Sequence, residues 1–169
     1  MLRSSLLARL VLAGALLAPV LAWAAAPHII YLTRHGEKLA DGKDPQLSAQ
    51  GQARARTIAA MLGKAGIGAV YSSATNRTRQ TAQPLAAKLG VEVETYDAGK
   101  PQTMIDKVKA SPAPVLVVGH SNTVPDLVKA LGGAPGEPIG DEEYDRLYQL
   151  IIGADGSVTT VLFTSVPAP

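Results

Sequence analysis

Short apolar runs alternate with longer amphipathic stretches from residue 28 onward, which is the pattern of alternating strands and helices. The run 115–119 is four apolar residues followed by glycine, as is typical of a strand covered on both faces of a parallel sheet. Pro84 lies inside one of the amphipathic stretches and predicts a kink or a break in that helix. Strands are predicted over 28–33, 69–72, 91–95 and 115–119, and helices over 48–62, 76–89, 103–109 and 123–131.

The C-terminal part of the chain has a different pattern. Residues 147–152 and 158–163 are two strand-like runs joined by a segment that contains Asp155-Gly156, which predicts an antiparallel hairpin. The element order therefore predicts one α/β domain over 27–169. Its expected architecture is a three-layer sandwich, with a mostly parallel sheet, an antiparallel C-terminal edge hairpin and helices on both faces.

The N-terminal segment has the features of an export signal. Arg3 and Arg9 precede an uncharged, apolar run over 10–26 that ends in small residues suited to cleavage. An uncleaved anchor is the alternative, but Pro19 interrupts a run at the short end of the roughly 17–25 residues that span a bilayer. We expect residues 1–26 to be a cleaved signal peptide. The mature protein would then be periplasmic or secreted in a bacterium, with no stable membrane association.

Composition narrows the classes of function. The 169 residues are 47% apolar and include no cysteine, which excludes disulfides, thiolate metal ligands and a cysteine nucleophile. Loss of Arg3 and Arg9 takes the 16 basic residues to 14, equal to the 14 acidic ones. A neutral mature chain with one Phe and one Trp gives no reason to expect nucleic-acid binding. Composition carries no signal of the oligomeric state.

Polar segments follow three of the predicted strands. The carboxyl ends of parallel strands meet at one edge of a sheet, where ligands bind. Two arginines offer planar groups that bind a tetrahedral oxyanion, a neutral imidazole can attack phosphorus, and a second imidazole can add positive charge. The sequence thus predicts a phosphate pocket that contains its own nucleophile. The side chains concerned are Arg34, His35, Arg77 and His120.

Four segments in this order resemble the histidine phosphatase superfamily, the phosphoglycerate mutase-like proteins. The resemblance implies that His35 becomes phosphorylated and that Arg34, Arg77 and His120 hold the phosphoryl group. Arg79 lies on the same helix as Arg77, but the family spacing from the second strand selects Arg77. The segments are Thr33-Arg34-His35-Gly36-Glu37, Leu47-Ser48 through Gly51 to Arg54-Ala55, Tyr71-Ser72-Ser73 through Arg77 to Ala82, and Val118-Gly119-His120-Ser121-Asn122-Thr123.

The proton donor stays open at this point. In the family that this chain resembles, phosphoglycerate mutases and their close phosphatase relatives carry a glutamate in a longer segment after the third strand, near Trp-Glu-Gly, and residues 93–99 lack that motif. Glu37, Glu94 and Asp97 are candidates, and a compact member can also lack a dedicated acid. This departure favours a phosphatase over a mutase.

We therefore predict a metal-independent histidine acid-type phosphatase, a phosphoric monoester hydrolase without a cofactor, that acts on small phosphorylated substrates through a phosphohistidine at His35. The short chain predicts an open pocket with loose specificity. One alternative is a catalytically weak phosphate-binding module, and another is a phosphohistidine protein phosphatase. A metal site formed by His35, His120 and Glu37 is a third, but it leaves the two arginines unexplained.

Some other conspicuous residues have simpler interpretations. We expect a structural role for His28 and a solvated loop face for the acidic run 141–143 with Asp145. Tyr144 and Tyr148 are expected to pack the hairpin, and either could also lie at the edge of the pocket.

Overall fold

The computed structural model describes residues 26–40 and 42–166, and the predicted signal peptide lies outside this range except for its last residue. Six strands and four helices follow one another in the described part of the chain. They are β1 (His28–Arg34), α1 (Ala49–Leu62), β2 (Ala69–Ser73), α2 (Asn76–Leu89), β3 (Val93–Tyr96), α3 (Gln102–Ala110), β4 (Val115–Gly119), α4 (Thr123–Ala130), β5 (Arg146–Ile152) and β6 (Val158–Thr164).

The strands form one sheet in the order β3-β2-β4-β1-β5-β6. The four strands from β3 to β1 are parallel, while β5 pairs with β1 and with β6 in antiparallel fashion. The prediction of a mostly parallel sheet with an antiparallel C-terminal edge hairpin is confirmed. Because β4 lies between β2 and β1, the carboxyl ends of these three strands are neighbours.

Two clusters of buried side chains lie on opposite faces of the sheet. On one face, Ile30 and Leu32 pack with residues from α3 and α4, whereas on the other face Tyr31 packs with residues from α1 and α2. This division follows from the alternation of side chains along β1, which sends successive residues to opposite faces. Helices therefore cover both faces, and the predicted three-layer sandwich is confirmed.

The ends of the helices follow local chemistry. Ser48 caps α1 by accepting a hydrogen bond from the backbone N–H of Gly51 at 3.2 Å. Gly90 ends α2 in the left-handed region at φ +68°. The sequence predicts a kink or a break at Pro84, and of these the break does not occur, since α2 runs on through this residue. The tight burial of Leu85 and Ala86 beside it offsets the roughly 3 kcal/mol that an interior proline costs.

Within residues 26–40 and 42–166, no helix combines the length and the apolar character that a membrane span requires.

Candidate active site

Three strand ends bring the four predicted side chains together. Arg34 is the last residue of β1 and His35 follows it, Arg77 lies in the first turn of α2 just after β2, and His120 follows β4. The ring centroids of His35 and His120 are 5.4 Å apart, in an edge-to-face arrangement. Arg77 lies within hydrogen-bonding distance of both rings.

His35 is held as a neutral imidazole with one defined lone pair. Its Nδ1 lies 2.8 Å from the carbonyl oxygen of Gly36, which can only accept, so Nδ1 carries the proton. The lone pair is therefore on Nε2, which accepts a hydrogen bond from Nε of Arg77 at 3.2 Å. Burial, together with the charges of Arg34 and Arg77, lowers the pKa of His35 to about 3. At neutral pH the ring is thus buried and uncharged, with a proton on Nδ1 and none on Nε2.

His120 is fixed in the opposite tautomer. Ser73 Oγ donates to Thr78 Oγ1 at 3.0 Å, so it accepts from Nε2 of His120, 2.8 Å away. Nδ1 of His120 then has the lone pair and lies 3.4 Å from Nη2 of Arg77. Burial and the neighbouring Arg77 lower the pKa of His120 to about 4, so this ring is also neutral in the free pocket.

The side chain of Arg34 is held in place by hydrogen bonds to the loop that precedes β5. Its Nη1 donates to the carbonyl oxygens of Gly140, Asp141 and Glu143, each at 2.8 Å. Its guanidinium carbon lies 4.1 Å from the centroid of the Tyr144 ring. Among the described residues, its buried Nε has no hydrogen-bond partner. Besides burial, the charge of Arg34 lowers the pKa of both His35 and His120, and a positive charge so close to the two rings is suited to attract an oxyanion.

The acidic loop has a further role in addition to its solvated face. The side chains of Asp141 and Glu142 are exposed, as expected, but the backbone carbonyls of the loop orient Arg34. Tyr144 lies at the edge of the pocket, 6.0 Å from the His35 ring, whereas Tyr148 is buried under the hairpin. The sequence shows that this loop is acidic, but it does not predict which of its backbone carbonyl groups point towards Arg34.

The two arginines of α2 point in different directions. Arg77 presents its Nε–Nη2 edge to the two imidazoles. Arg79 is exposed and donates to the side chain of Asn76 at 3.3 Å. The structure therefore brings Arg77, and not Arg79, into the pocket.

The three candidate proton donors have different surroundings. Glu37 receives two hydrogen bonds from Arg54, at 3.0 and 2.5 Å; burial acts to raise its pKa, but these bonds outweigh burial and lower it. Glu94 pairs with Lys107 at 3.0 Å on an exposed part of the surface. Asp97 is exposed and lines a cleft of about 450 Å³ that also contains His120. Asp97 is thus the one of the three that shares a cleft with a pocket histidine.

The alternative metal site lacks its third ligand. Because Arg54 occupies both carboxylate oxygens of Glu37, this side chain is not free to join His35 and His120. Across residues 26–40 and 42–166, no group of three potential His, Cys, Asp or Glu ligands is close enough to hold a metal ion. His28 lies outside the pocket, and its Nε2 is 2.8 Å from the carbonyl oxygen of Val108.

Two contacts in the pocket could not be foreseen from the motifs alone. Ser73 was identified only as a strand end, although it sets the tautomer of His120. Asp44, in the connection between β1 and α1, has its carboxylate 3.6 Å from Nη1 of Arg77. The only sequence signal for Asp44 is its position shortly before the cap of α1.

Comparisons with known proteins find similar proteins for part of this chain. Residues 30–98 match the model of the histidine phosphatase superfamily, branch 1, a segment that contains Arg34, His35 and Arg77. A phosphoglycerate mutase relative from Serratia proteamaculans, whose name is qualified as probable, is 39% identical over 71 residues. That match covers 38% of this chain and spans only a third of the relative's length (33%).

Solved structures share the fold over nearly the whole described chain. A mycobacterial glucosyl-3-phosphoglycerate phosphatase superposes with a TM-score of 0.65 at 17% identity, covering 84% of this chain and 100% of that one. The protein histidine phosphatase SixA, in complex with tungstate, superposes with a TM-score of 0.65 at 23% identity, covering 81% and 96% of the two chains. Over residues 30–98 the chain is therefore similar to the histidine phosphatase superfamily, and over most of its described part it shares the fold of these solved structures.

Proposed function

We propose that this protein is a phosphatase that hydrolyses phosphomonoesters through a phosphohistidine on His35, without a metal ion. The observation that carries the proposal is the lone pair on Nε2 of the buried, neutral His35, which faces the Nε–Nη2 edge of Arg77. A neutral imidazole is a competent nucleophile towards phosphorus. The two guanidinium groups beside it can balance the charge of the transferred group.

In the first step, Nε2 of His35 attacks phosphorus and the bond to the leaving oxygen breaks. The Nδ1–H group keeps its bond to Gly36 and shares the positive charge that develops on the phosphorylated ring. The leaving oxygen takes a proton from water or from an acid, and Asp97 is the preferred acid because it lines the cleft that contains His120.

In the second step, water attacks phosphorus and the N–P bond breaks. The electron pair returns to Nε2, and inorganic phosphate and a proton are released. Arg34 and Arg77 would hold the phosphoryl oxygens through both steps, and His120 would join them as an imidazolium, after its Nδ1 takes a proton from solvent when the anion binds. The charge of Arg34 supports its part in this, since it adds to burial in lowering the pKa of both His35 and His120.

A second candidate is dephosphorylation of phosphohistidine on another protein. The likeness to the protein histidine phosphatase SixA favours it, because that structure covers 81% of this chain. The same His35 chemistry would apply, with imidazole rather than an alkoxide as the leaving group. Turnover of a phosphohistidine peptide faster than of an alkyl phosphate would select this substrate.

We also propose that the protein acts outside the cytoplasm. The proposal rests on the charged start and apolar run of residues 1–26. N-terminal sequencing of the protein from a periplasmic extract tests it, and a mature chain that still begins at Met1 would contradict it.

The covalent intermediate provides the direct test of the main proposal. The mature protein is mixed with an aryl phosphate, quenched without acid and examined by intact mass, beside His35→Ala and with a chelator present. We expect a phosphoryl adduct on the wild type that is absent from His35→Ala and insensitive to the chelator. Binding of phosphate with neither adduct nor turnover would favour the binding module, and turnover lost to the chelator would favour a metal enzyme.

A further inference from the structure

Arg77 uses its three nitrogen groups in three directions. Its Nε and Nη2 face His35 and His120, while Nη1 lies 3.6 Å from the carboxylate of Asp44. The Nε–Nη2 edge is the one that binds an oxyanion with two parallel hydrogen bonds. Nη1 is then the group left over to set the orientation of the guanidinium plane.

Asp44 is itself fixed to the start of the helix that carries Arg77. Its Oδ1 and Oδ2 lie 2.9 and 3.1 Å from the backbone N–H of Asn76, the first residue of α2. The Asn76 side chain donates back to the backbone carbonyl of Asp44 at 3.3 Å. Thr75, the residue at the cap position, makes no capping hydrogen bond with its side chain. A residue 32 positions earlier in the chain therefore caps α2.

We propose that Asp44 is a positioning residue for phosphoryl transfer, which holds Nη1 of Arg77 so that the Nε–Nη2 edge stays aimed at the phosphoryl group. This proposal rests on the proposed function. Asp44 does not act as the acid in it, because its carboxylate is committed to Arg77 and to the backbone of α2.

Charge and position predict opposite effects here. A carboxylate beside a phosphate pocket repels the incoming anion, so if charge alone mattered, removing it would tighten phosphate binding. If Asp44 orients Arg77, removing it weakens binding even though a negative charge has gone. The sign of the change in phosphate affinity therefore separates these two effects. If Asp44 served only to stabilise the fold, its removal would leave the phosphate affinity unchanged.

The test uses Asp44→Asn, which keeps an oxygen able to cap Asn76 but loses the charge that holds Arg77. Asp106→Asn on α3 is the control, since Asp106 is also an exposed aspartate and its carboxylate accepts a hydrogen bond from Gln102 at 2.8 Å. The readouts are the Kd for inorganic phosphate by calorimetry and kcat/KM on an aryl phosphate. We expect Asp44→Asn to raise the Kd and lower kcat/KM by about five- to tenfold each, with no change for the control.

A second comparison asks whether the effect passes through Arg77. Asp44→Asn is added to Arg77→Ala, and we expect no further loss of phosphate affinity in that background. Tighter or unchanged phosphate binding in Asp44→Asn, or an equal loss in the Arg77→Ala background, would overturn the proposal. Phosphate binding by a wild type that forms no adduct would overturn the proposed function while leaving the affinity test of Asp44 intact.

Discussion

Ser73 Oγ lies 2.8 Å from Nε2 of His120, and this one hydrogen bond decides which nitrogen of the second histidine carries the proton. The serine hydroxyl is itself oriented by Thr78, which accepts its proton at 3.0 Å. Nδ1 of His120 consequently presents its lone pair to Arg77. The first turn of α2 thus sets the chemistry of a residue that lies at the end of β4.

Replacing Ser73 by alanine removes the hydrogen bond that fixes the tautomer of His120. We expect kcat/KM on an aryl phosphate to fall about tenfold, because the His120 ring can then rotate or change tautomer. Ser72→Ala is the matched control, since Ser72 is also buried and its hydroxyl bonds only the backbone of Ser73, at 2.9 Å. Equal losses in the two variants would mean that the effect is one of packing.

Arg77 and Arg79 offer a direct comparison of two arginines on one helix. Arg77→Lys keeps the charge but cannot give two parallel hydrogen bonds, so we expect a loss of about a hundredfold in kcat/KM. Arg79→Lys lies on the exposed face and should stay within about twofold of the wild type, as is usual for a surface substitution. Steady-state kinetics on an aryl phosphate measures both, and similar losses would contradict the assignment.

Much of this pocket could be predicted from the sequence because it is built at strand ends. Arg34, His35 and His120 each follow a short apolar run, and Arg77 begins the helix after another. Strand order then makes them neighbours, since β4 lies between β1 and β2. Periodicity and glycine punctuation were enough to place these elements to within one or two residues.

The contacts that orient the arginines of the pocket could not be predicted from the sequence in this way. Asp44 reaches Asn76 across 32 residues, and Arg34 reaches Glu143 across 109. In each contact one partner, Asp44 or Glu143, lies in an irregular connection between elements. Such connections have no periodicity that would predict which of their atoms face the pocket. The sequence also left open whether α2 is kinked or broken at Pro84, and the helix runs on because tertiary packing outweighs the local preference of proline.

Tyr144 supports Arg34 through its ring face. The guanidinium carbon lies 4.1 Å from the ring centroid, an interaction that contributes about 0.5–2 kcal/mol. We therefore expect Tyr144→Leu to lower kcat/KM about three- to tenfold and Tyr144→Phe, which keeps an aromatic face, to lose clearly less. Kinetics of the two variants measures the difference, and an equal loss would assign the effect to the hydroxyl.

The start of α1 packs directly against the loop after β1. A Cβ on Gly51 would lie 2.1 Å from the carbonyl oxygen of Glu37, so the backbone would have to move. We expect Gly51→Ala to lower the free energy of unfolding by about 3 kcal/mol, at the upper end for overpacking. Gly140→Ala is the control because the nearest atoms to its Cβ would be 4.0 Å away. Urea unfolding of both variants distinguishes a tight approach from a general intolerance of alanine.

The two neutral histidines should make stability depend on pH. Burial lowers the pKa of His35 to about 3 and that of His120 to about 4, whereas both are near 6.5 in an unfolded chain. Between those values the unfolded state binds more protons than the folded state. The stabilisation is therefore fully present above pH 6.5 and is lost as the pH falls, by up to about 1.4 kcal/mol per pH unit for each histidine.

The variant His35→Asn removes one of the two titrating imidazoles and so shows how much of the pH dependence of stability comes from His35. Compared with the wild type, its free energy of unfolding should fall less steeply between pH 6.5 and about 4, so the variant gains relative stability as the solution becomes more acidic. Above pH 7.5 the two curves should run parallel, because the histidine is then neutral in both states, and carboxylate effects are common to the two proteins. Urea unfolding at several pH values measures the slopes. Parallel curves below pH 6.5 would show that His35 takes up its proton as easily in the fold as in the open chain, which would contradict the lowered pKa of the buried ring.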